Sequence, residues 1–167
     1  RLMPFGYGKE VLRGRAKVYL ADPAIGPSVL LKGKGLLEDD TALGSAVETA
    51  FFKHVYSRYY KTSVGFSYWR DRSGHEVDII ADVAVRLTPF EVKYRNTDTG
   101  VGSLKGLVEF CEQRHVERAY VITKSMDDFG VLELSAKAPK VMAVKVPAPL
   151  ACYWLGRTEL NQVTPSD

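Results

Sequence analysis

The 167 residues hold only two cysteines, Cys111 and Cys152, and three histidines. So low a thiol content excludes a disulfide-stapled secreted module and makes a reducing, cytoplasmic setting the expectation. No signal-peptide pattern of charged start, apolar run and small-residue cleavage site occurs near Arg1. Long hydrophobic runs are missing too. Val77–Val85 and Val146–Leu155 are interrupted or far too short to cross a bilayer, which takes about 20 residues as a helix, so no membrane partner is expected. Charge of one sign is scarce: 23 Lys and Arg oppose 20 Asp and Glu, and the resulting +3 allows contact with nucleic acid without requiring it. No Gly-x-x-x-x-Gly-Lys-Ser/Thr loop occurs. Lys32-Gly33-Lys34-Gly35 lacks both its spacing and its hydroxyl residue, so no ATP site is expected. His54 and His115 have no Cys or His partner at metal-ligand spacing, which speaks against zinc.

What is present is a 46% hydrophobic chain, enough for one domain with a core on both sides of a sheet. The opening Arg1-Leu2-Met3-Pro4-Phe5-Gly6-Tyr7-Gly8 has no initiator methionine and reads as the interior of a longer polypeptide. Residues 1–16 form a basic, loosely structured lead-in, 17–156 a single domain and 157–167 a polar tail. Val18-Tyr19-Leu20 has the makings of a short strand stopped by Asp22-Pro23, and Gly26–Asp40 those of a connector. A helix is expected from Asp40 or Thr41 to Tyr60, with Leu43, Val47, Ala50, Phe51 and Val55 at helical spacing.

Three strands should follow, Val64–Arg70, His75–Val83 and Pro89–Arg95, the first two joined by the turn Asp71-Arg72-Ser73-Gly74. A second helix over Ser103–Arg114 carries the stripe Leu104, Leu107, Val108 and Cys111. Arg118–Thr123 reads as a buried strand, Val131–Leu134 and Val141–Val146 as further strands, and Pro149–Leu155 as a short terminal helix. Helix, three strands, helix, strand predicts an α/β fold. A strand meander and a crossover helix make a mixed sheet flanked by helices.

Chemistry concentrates in Pro89-Phe90-Glu91-Val92-Lys93-Tyr94. Strand alternation puts Glu91 and Lys93 on one face and Phe90, Val92 and Tyr94 on the other. On the preceding strand Glu76, Asp78, Ile80 and Asp82 share a face opposite Val77, Ile79, Ala81 and Val83, so neighbouring strands would bring Asp78 to Glu91. Two carboxylates and a lysine suit hydrolysis of phosphodiesters assisted by Mg²⁺ or Mn²⁺, because such ions take hard oxygen ligands and keep waters able to attack phosphorus. The plainer reading is a Glu–Lys ion pair on a sheet face, which is far commoner. Glu48 weighs against it, since it shares a helix face with Phe51, Phe52 and Val55, where a carboxylate needs a partner or a metal. Its own plain reading is a Ser45-x-x-Glu48 capping box, which requires the helix to start at Ser45.

The stretch Ser67-Tyr68-Trp69-Arg70-Asp71-Arg72-Ser73-Gly74-His75-Glu76-Val77-Asp78-Ile79-Ile80, followed by Phe90-Glu91-Val92-Lys93-Tyr94, resembles the PD-(D/E)xK nuclease superfamily. More narrowly it is similar to the domain that follows the ATPase module in a large group of prokaryotic AAA-type ATPases. Lys17-Val18-Tyr19-Leu20-Ala21-Asp22-Pro23-Ala24-Ile25 is similar to the phrase that begins that domain. The resemblance implies a restriction-endonuclease-like core and an upstream ATPase partner. It implies metal ligands at Glu48, Asp78 and Glu91 with Lys93 as the catalytic lysine, although Val77-Asp78 replaces the family's Pro-Asp.

His75, beside Glu76 and Asp78, could lend a third ligand but ranks below the carboxylates, since a turn histidine at a hairpin edge is more often merely solvated, and Cys111 reads as a core residue. Lys9, Arg13, Arg15, Lys17, Arg58, Lys93 and Arg95 could follow a phosphate backbone, and Tyr56, Tyr59, Tyr60, Tyr68 and Trp69 could stack on bases, though each set has an ordinary structural explanation. Two functions stay open: a metal-dependent nuclease, or a non-catalytic nucleic-acid-binding or regulatory module whose acidic and lysine cluster is structural only.

Overall fold

The computed structural model describes residues 1–6, 15–83, 86–97, 99–136 and 139–163, with side chains up to residue 157. Seven strands form one mixed sheet in the order β1-β2-β3-β4-β5-β7-β6. They are β1 (Met3–Pro4), β2 (Gly65–Arg70), β3 (Glu76–Val83), β4 (Arg86–Lys93), β5 (Arg118–Thr123), β6 (Gly130–Ser135) and β7 (Val141–Pro147). The helices are α1 (Ile25–Val29), α2 (Asp40–Tyr59), α3 (Lys105–Arg114) and α4 (Ala148–Val163), with short 3-10 turns at Gly33–Leu37 and Val101–Ser103.

The expected meander is present, since β2, β3 and β4 are successively antiparallel. α3 then crosses over and returns β5 parallel to β4, and β7 adds parallel to β5. The β2–β3 turn depends on Gly74, whose φ of +87° lies in the left-handed region that a Cβ disfavours, and on the Asp71 carboxylate, which accepts the His75 N–H at 2.7 Å.

Asp39 caps α2, its extended backbone leaving the side chain free to accept the Ala42 N–H at 2.9 Å. Asp40 in the first turn and Arg58 in the last complement the helix dipole. The start at Asp40 places Glu48 two turns inside the helix and removes the Ser45 capping box as its explanation.

Each face of the sheet has its own core. On one, Leu107, Phe110 and Cys111 of α3 pack on Trp69, Val77, Ile80 and Val121. On the other, Phe51, Phe52 and Val55 of α2 and Ala148 and Ala151 of α4 cover Ile79, Ile122 and Val146. Full burial of a ring such as Phe51 or Phe110 contributes about 1.5–3 kcal/mol. α3 comes so close to β3 that a Cβ on Gly106 would stand 2.8 Å from the Glu76 amide nitrogen, so only glycine fits. Cys111 is the core residue expected, and burial pushes its thiol up to about 12.

Four expectations are corrected. The first residues are not wholly a loose lead-in: Met3 and Pro4 pair with Ser67 and Tyr68, and Leu2 is buried at 1% exposure. Val18–Leu20 forms no strand. A single bridge joins Leu2 to Lys17, while Val18 and Leu20 stay exposed because Lys17 and Tyr19 are drawn toward carboxylates instead of a sheet edge. The terminal helix is longer than Pro149–Leu155, reaching Val163 and taking in the start of the expected polar tail.

The fourth correction concerns β3, where strict alternation fails. Ser67 pairs with Ile80 but Trp69 with Val77, so Asp78 and Ile79 together stand opposite Tyr68 in a β-bulge. Val77 and Ile80 therefore belong to one core and Ile79 to the other. No helix among the described residues is long and apolar enough to cross a membrane.

Candidate metal centre

The bulge decides where the acidic residues of β3 point. A regular strand would leave Asp78 on the face of Ile80, under α3, whereas the extra residue turns Glu76 and Asp78 toward α2. The β3–β4 ladder begins at Ile79↔Phe90, and ahead of it side chains replace backbone pairing. The Asp78 carboxylate accepts the Val92 N–H at 2.9 Å, and the Asp78 N–H approaches Glu91 Oε2 at 3.4 Å.

Glu91 is only 5% exposed, yet its Oε1 lies 2.5 Å from Lys93 Nζ. Burial, then the neighbouring Asp78 charge, push its carboxyl up to about 8 against the opposing pull of Lys93. Phe90, Val92 and Tyr94 occupy the other face of β4 and pack in the α2 core, as alternation requires.

Glu48 projects from α2 toward Asp78. Tyr19 donates its hydroxyl to Glu48 Oε1 at 2.6 Å, and Lys17 Nζ stands 2.9 Å from the same oxygen. That ammonium is also 2.9 Å from Asp78 Oδ1 and 2.5 Å from Glu76 Oε1. Burial and Asp78 raise the Glu48 carboxyl above its ordinary range. Burial opposes the charge on Lys17, but Asp78 and Glu48 outweigh it and hold the ammonium far above its usual pKa. Tyr19 is likewise raised, by burial and then by Glu48. The outer oxygen of Glu76 accepts from Arg70 Nε at 2.6 Å.

Of the residues predicted for the site, the fold thus sets Asp78 beside Glu91, pairs Glu91 with Lys93, and brings Glu48 to Asp78 through Lys17. Among the described residues no hydrogen bond or ion pair joins Glu48 to Glu91, so Asp78 is the centre of the group. Sequence reasoning passed over Glu76, Tyr19 and the role of Lys17. The shared face of Glu76 and Asp78 was a usable signal for the first, while nothing local in the sequence marks the other two.

Other expected contributors go elsewhere. His75 is not merely solvated: its Nδ1 lies 3.1 Å from Asp71 Oδ2 and 3.3 Å from Glu109 Oε2. Among the described residues these three side chains, and not Glu48, Asp78 and Glu91, form the group whose potential ligand atoms all lie within 4.8 Å of one another. Of the basic residues that could follow a phosphate backbone, three have partners within the fold. Lys17 and Lys93 face carboxylates and Arg58 lies 5.5 Å from the Tyr59 ring, while Lys9 and Arg13 fall outside the described residues. Tyr68 and Trp69 are buried in the cores, out of reach of a base.

A model of the family described as a domain of unknown function, DUF4143, matches residues 43–145 and with them Glu48, Glu76, Asp78, Glu91 and Lys93. The chain belongs to this family. Lys17 and Tyr19 lie ahead of the DUF4143 match, so the cation at the middle of the cluster comes from outside the matched segment. No curated protein and no solved structure matches the chain.

Proposed function

We propose that this DUF4143 domain carries a metal-dependent nuclease centre of the PD-(D/E)xK kind, acting on DNA or RNA. In it, Glu48, Asp78 and Glu91 hold Mg²⁺ or Mn²⁺ and Lys93 assists phosphodiester hydrolysis. The observation that carries this reading is the Lys17 ammonium, a cation lodged within 3 Å of Glu48, Glu76 and Asp78. The donors are all carboxylate oxygens, the set that hard divalent ions prefer. With Lys17 displaced and the raised Glu91 carboxyl giving up its proton to a metal, the group of Glu48, Asp78, Glu91 and Lys93 holds a surplus of two negative charges, which one divalent ion would balance.

A bound metal would polarise the phosphoryl group and acidify a water. The chain's own residues do the positioning. Asp78 is anchored through Val92 and cannot swing out, and Glu91 is held by Lys93 in a site nearly closed to solvent. The Lys93 ammonium, 26% exposed, has access both to Glu91 and to an entering phosphate, where it can orient water or neutralise charge. The order helix, three strands, helix, strand, with Asp78 and Glu91 on neighbouring strands, supports a restriction-endonuclease-like core. We infer an AAA-type ATPase module as the partner upstream in the same polypeptide, and a cytoplasmic setting.

The test is cleavage of single- and double-stranded DNA and RNA by purified protein in Mg²⁺ or Mn²⁺. Nicking should need the metal and vanish in Asp78→Ala and Lys93→Ala variants that remain folded, and a preparation free of contaminants that cuts none of these substrates ends the proposal. The rival reading is a non-catalytic module whose cluster is structural, and the same Lys17 favours it, because the carboxylates already have an internal counterion. Under that reading neither Mg²⁺ nor Mn²⁺ gives a heat of binding in calorimetry, in the wild type or in Asp78→Asn.

A further inference from the structure

At the opposite end of the sheet from Lys93 lies a cleft of about 670 Å³ that the proposed centre does not use. Its charge follows from topology. β4, β5 and β7 are neighbours and mutually parallel, so the residues that start them gather at one edge. Arg86 opens β4, Arg118 opens β5 and Lys140 immediately precedes β7, while Arg114 closes the cleft from the last turn of α3. The parallel register sets Arg118 opposite Met142, so Lys140 projects just beyond it.

Against these four basic side chains the cleft has one carboxylate, Glu117. The lining residues alone carry a surplus of three positive charges, which Glu133 beside Lys140 partly offsets. Arg86 and Arg118 form no ion pair among the described residues. Arg114 has its guanidinium carbon over the Phe5 ring, 5.1 Å from the centroid, and Lys140 has only an exposed pairing with Glu133 at 3.6 Å. Three of the four cations are arginines, whose planar forks match phosphate oxygens better than an ammonium does.

We propose that this cleft is a second, metal-independent binding site for the phosphate backbone of nucleic acid. The choice of nucleic acid over other polyanions rests on the nuclease reading. Arg86 and Lys93 are seven strand residues apart, which at the usual rise puts the two sites on the order of 20 Å from one another. A strand held at the cleft can therefore extend to the carboxylates, with binding and hydrolysis served by separate residues.

The experiment is fluorescence anisotropy with labelled single-stranded and duplex DNA in EDTA, so that binding is read without metal or cleavage. Wild type should bind with a strong salt dependence. Arg86→Gln/Arg118→Gln should bind at least 10-fold more weakly, with the slope of log K against log salt smaller by about 1.5 to 2. Asp78→Asn should bind like wild type even if it cleaves nothing, which separates failure of this site from failure of the nuclease reading. Undiminished binding by the double arginine variant, or no binding by wild type in EDTA, overturns the proposal. So does equally tight, equally arginine-dependent binding of poly-glutamate, which would make the site a dock for acidic protein. Displacement of DNA by millimolar inorganic phosphate, with chloride at equal ionic strength ineffective, would show a pocket for a small anion and would also overturn it.

Discussion

Lys17 Nζ and Asp78 Oδ1 lie 2.9 Å apart, across 61 residues of sequence, at the meeting point of three carboxylates. The ammonium also meets Glu48 and Glu76, so any divalent ion entering between Glu48 and Asp78 must displace it. Metal binding and the position of residues 15–20 are coupled for that reason.

Lys17→Met should accordingly make the protein less stable without metal and more responsive to it. Loss of the ammonium leaves three carboxylates facing one another. Because the lysine is 23% exposed, the expected cost is about 2 kcal/mol, below the range for a fully buried pair. Saturating Mn²⁺ should restore the loss and raise the melting temperature of the variant further than that of wild type. If the variant melts like wild type in EDTA, Lys17 is not the counterion inferred here.

Glu91 predicts a pH dependence of defined sign. Its carboxyl, ordinarily near 4.5, is raised to about 8 in the fold, so between those values the native state binds a proton that the unfolded chain has lost. Stability of the metal-free protein should fall as pH rises through that window. Glu91→Gln should flatten the slope, as measured by urea unfolding at pH 5, 6.5 and 8. An equal slope in wild type and variant would assign the effect to another group.

Tyr19→Phe removes the 2.6 Å hydrogen bond to Glu48 while keeping the ring that lies against Phe52, with centroids 4.5 Å apart. The expected loss is about 1 kcal/mol in urea unfolding at neutral pH. Tyr19→Leu, which also removes the ring, should cost more, and a neutral Tyr19→Phe would mean that Lys17 alone satisfies Glu48.

Gly106→Ala tests how closely α3 sits on β3. The new methyl would meet the backbone of Glu76, which cannot rotate away, so helix and strand must separate. The expected destabilisation is about 2 kcal/mol, read as a lower urea midpoint. In the same variant the shift of β3, which carries Asp78, should weaken the response to Mn²⁺.

Much of this was legible in the sequence because it depends on local periodicity and turn chemistry. Phe51 and Val55 mark the buried face of α2, Asp71 to Gly74 mark the first hairpin, and alternation separates Glu91 and Lys93 from Phe90 and Val92. The bulge left no such trace, because Val77, Asp78 and Ile79 read as regular alternation and the extra residue is visible only once Ser67 and Trp69 are paired. Lys17 and Tyr19 read as part of a basic lead-in and a strand because the force that places them is the charge of residues 61 and 29 positions away along the chain, respectively. The Arg86, Arg118 and Lys140 cleft was illegible for a related reason. Those residues meet only because β7 inserts beside β5 and leaves β6 at the edge.

The bulge also makes the centre a matter of counting. Asp78 is the surplus residue of its strand, claimed by no ladder partner, which is why its amide and carboxylate are free to bridge to β4. A chain shortened by deleting Ile79 would pull Asp78 up one rung, opposite Phe90 and beneath Phe51, where no water or cation could reach its charge. The interval from Asp78 to Ile80 therefore acts as a ruler. Another apolar side chain can stand between its marks, but the number of residues cannot change.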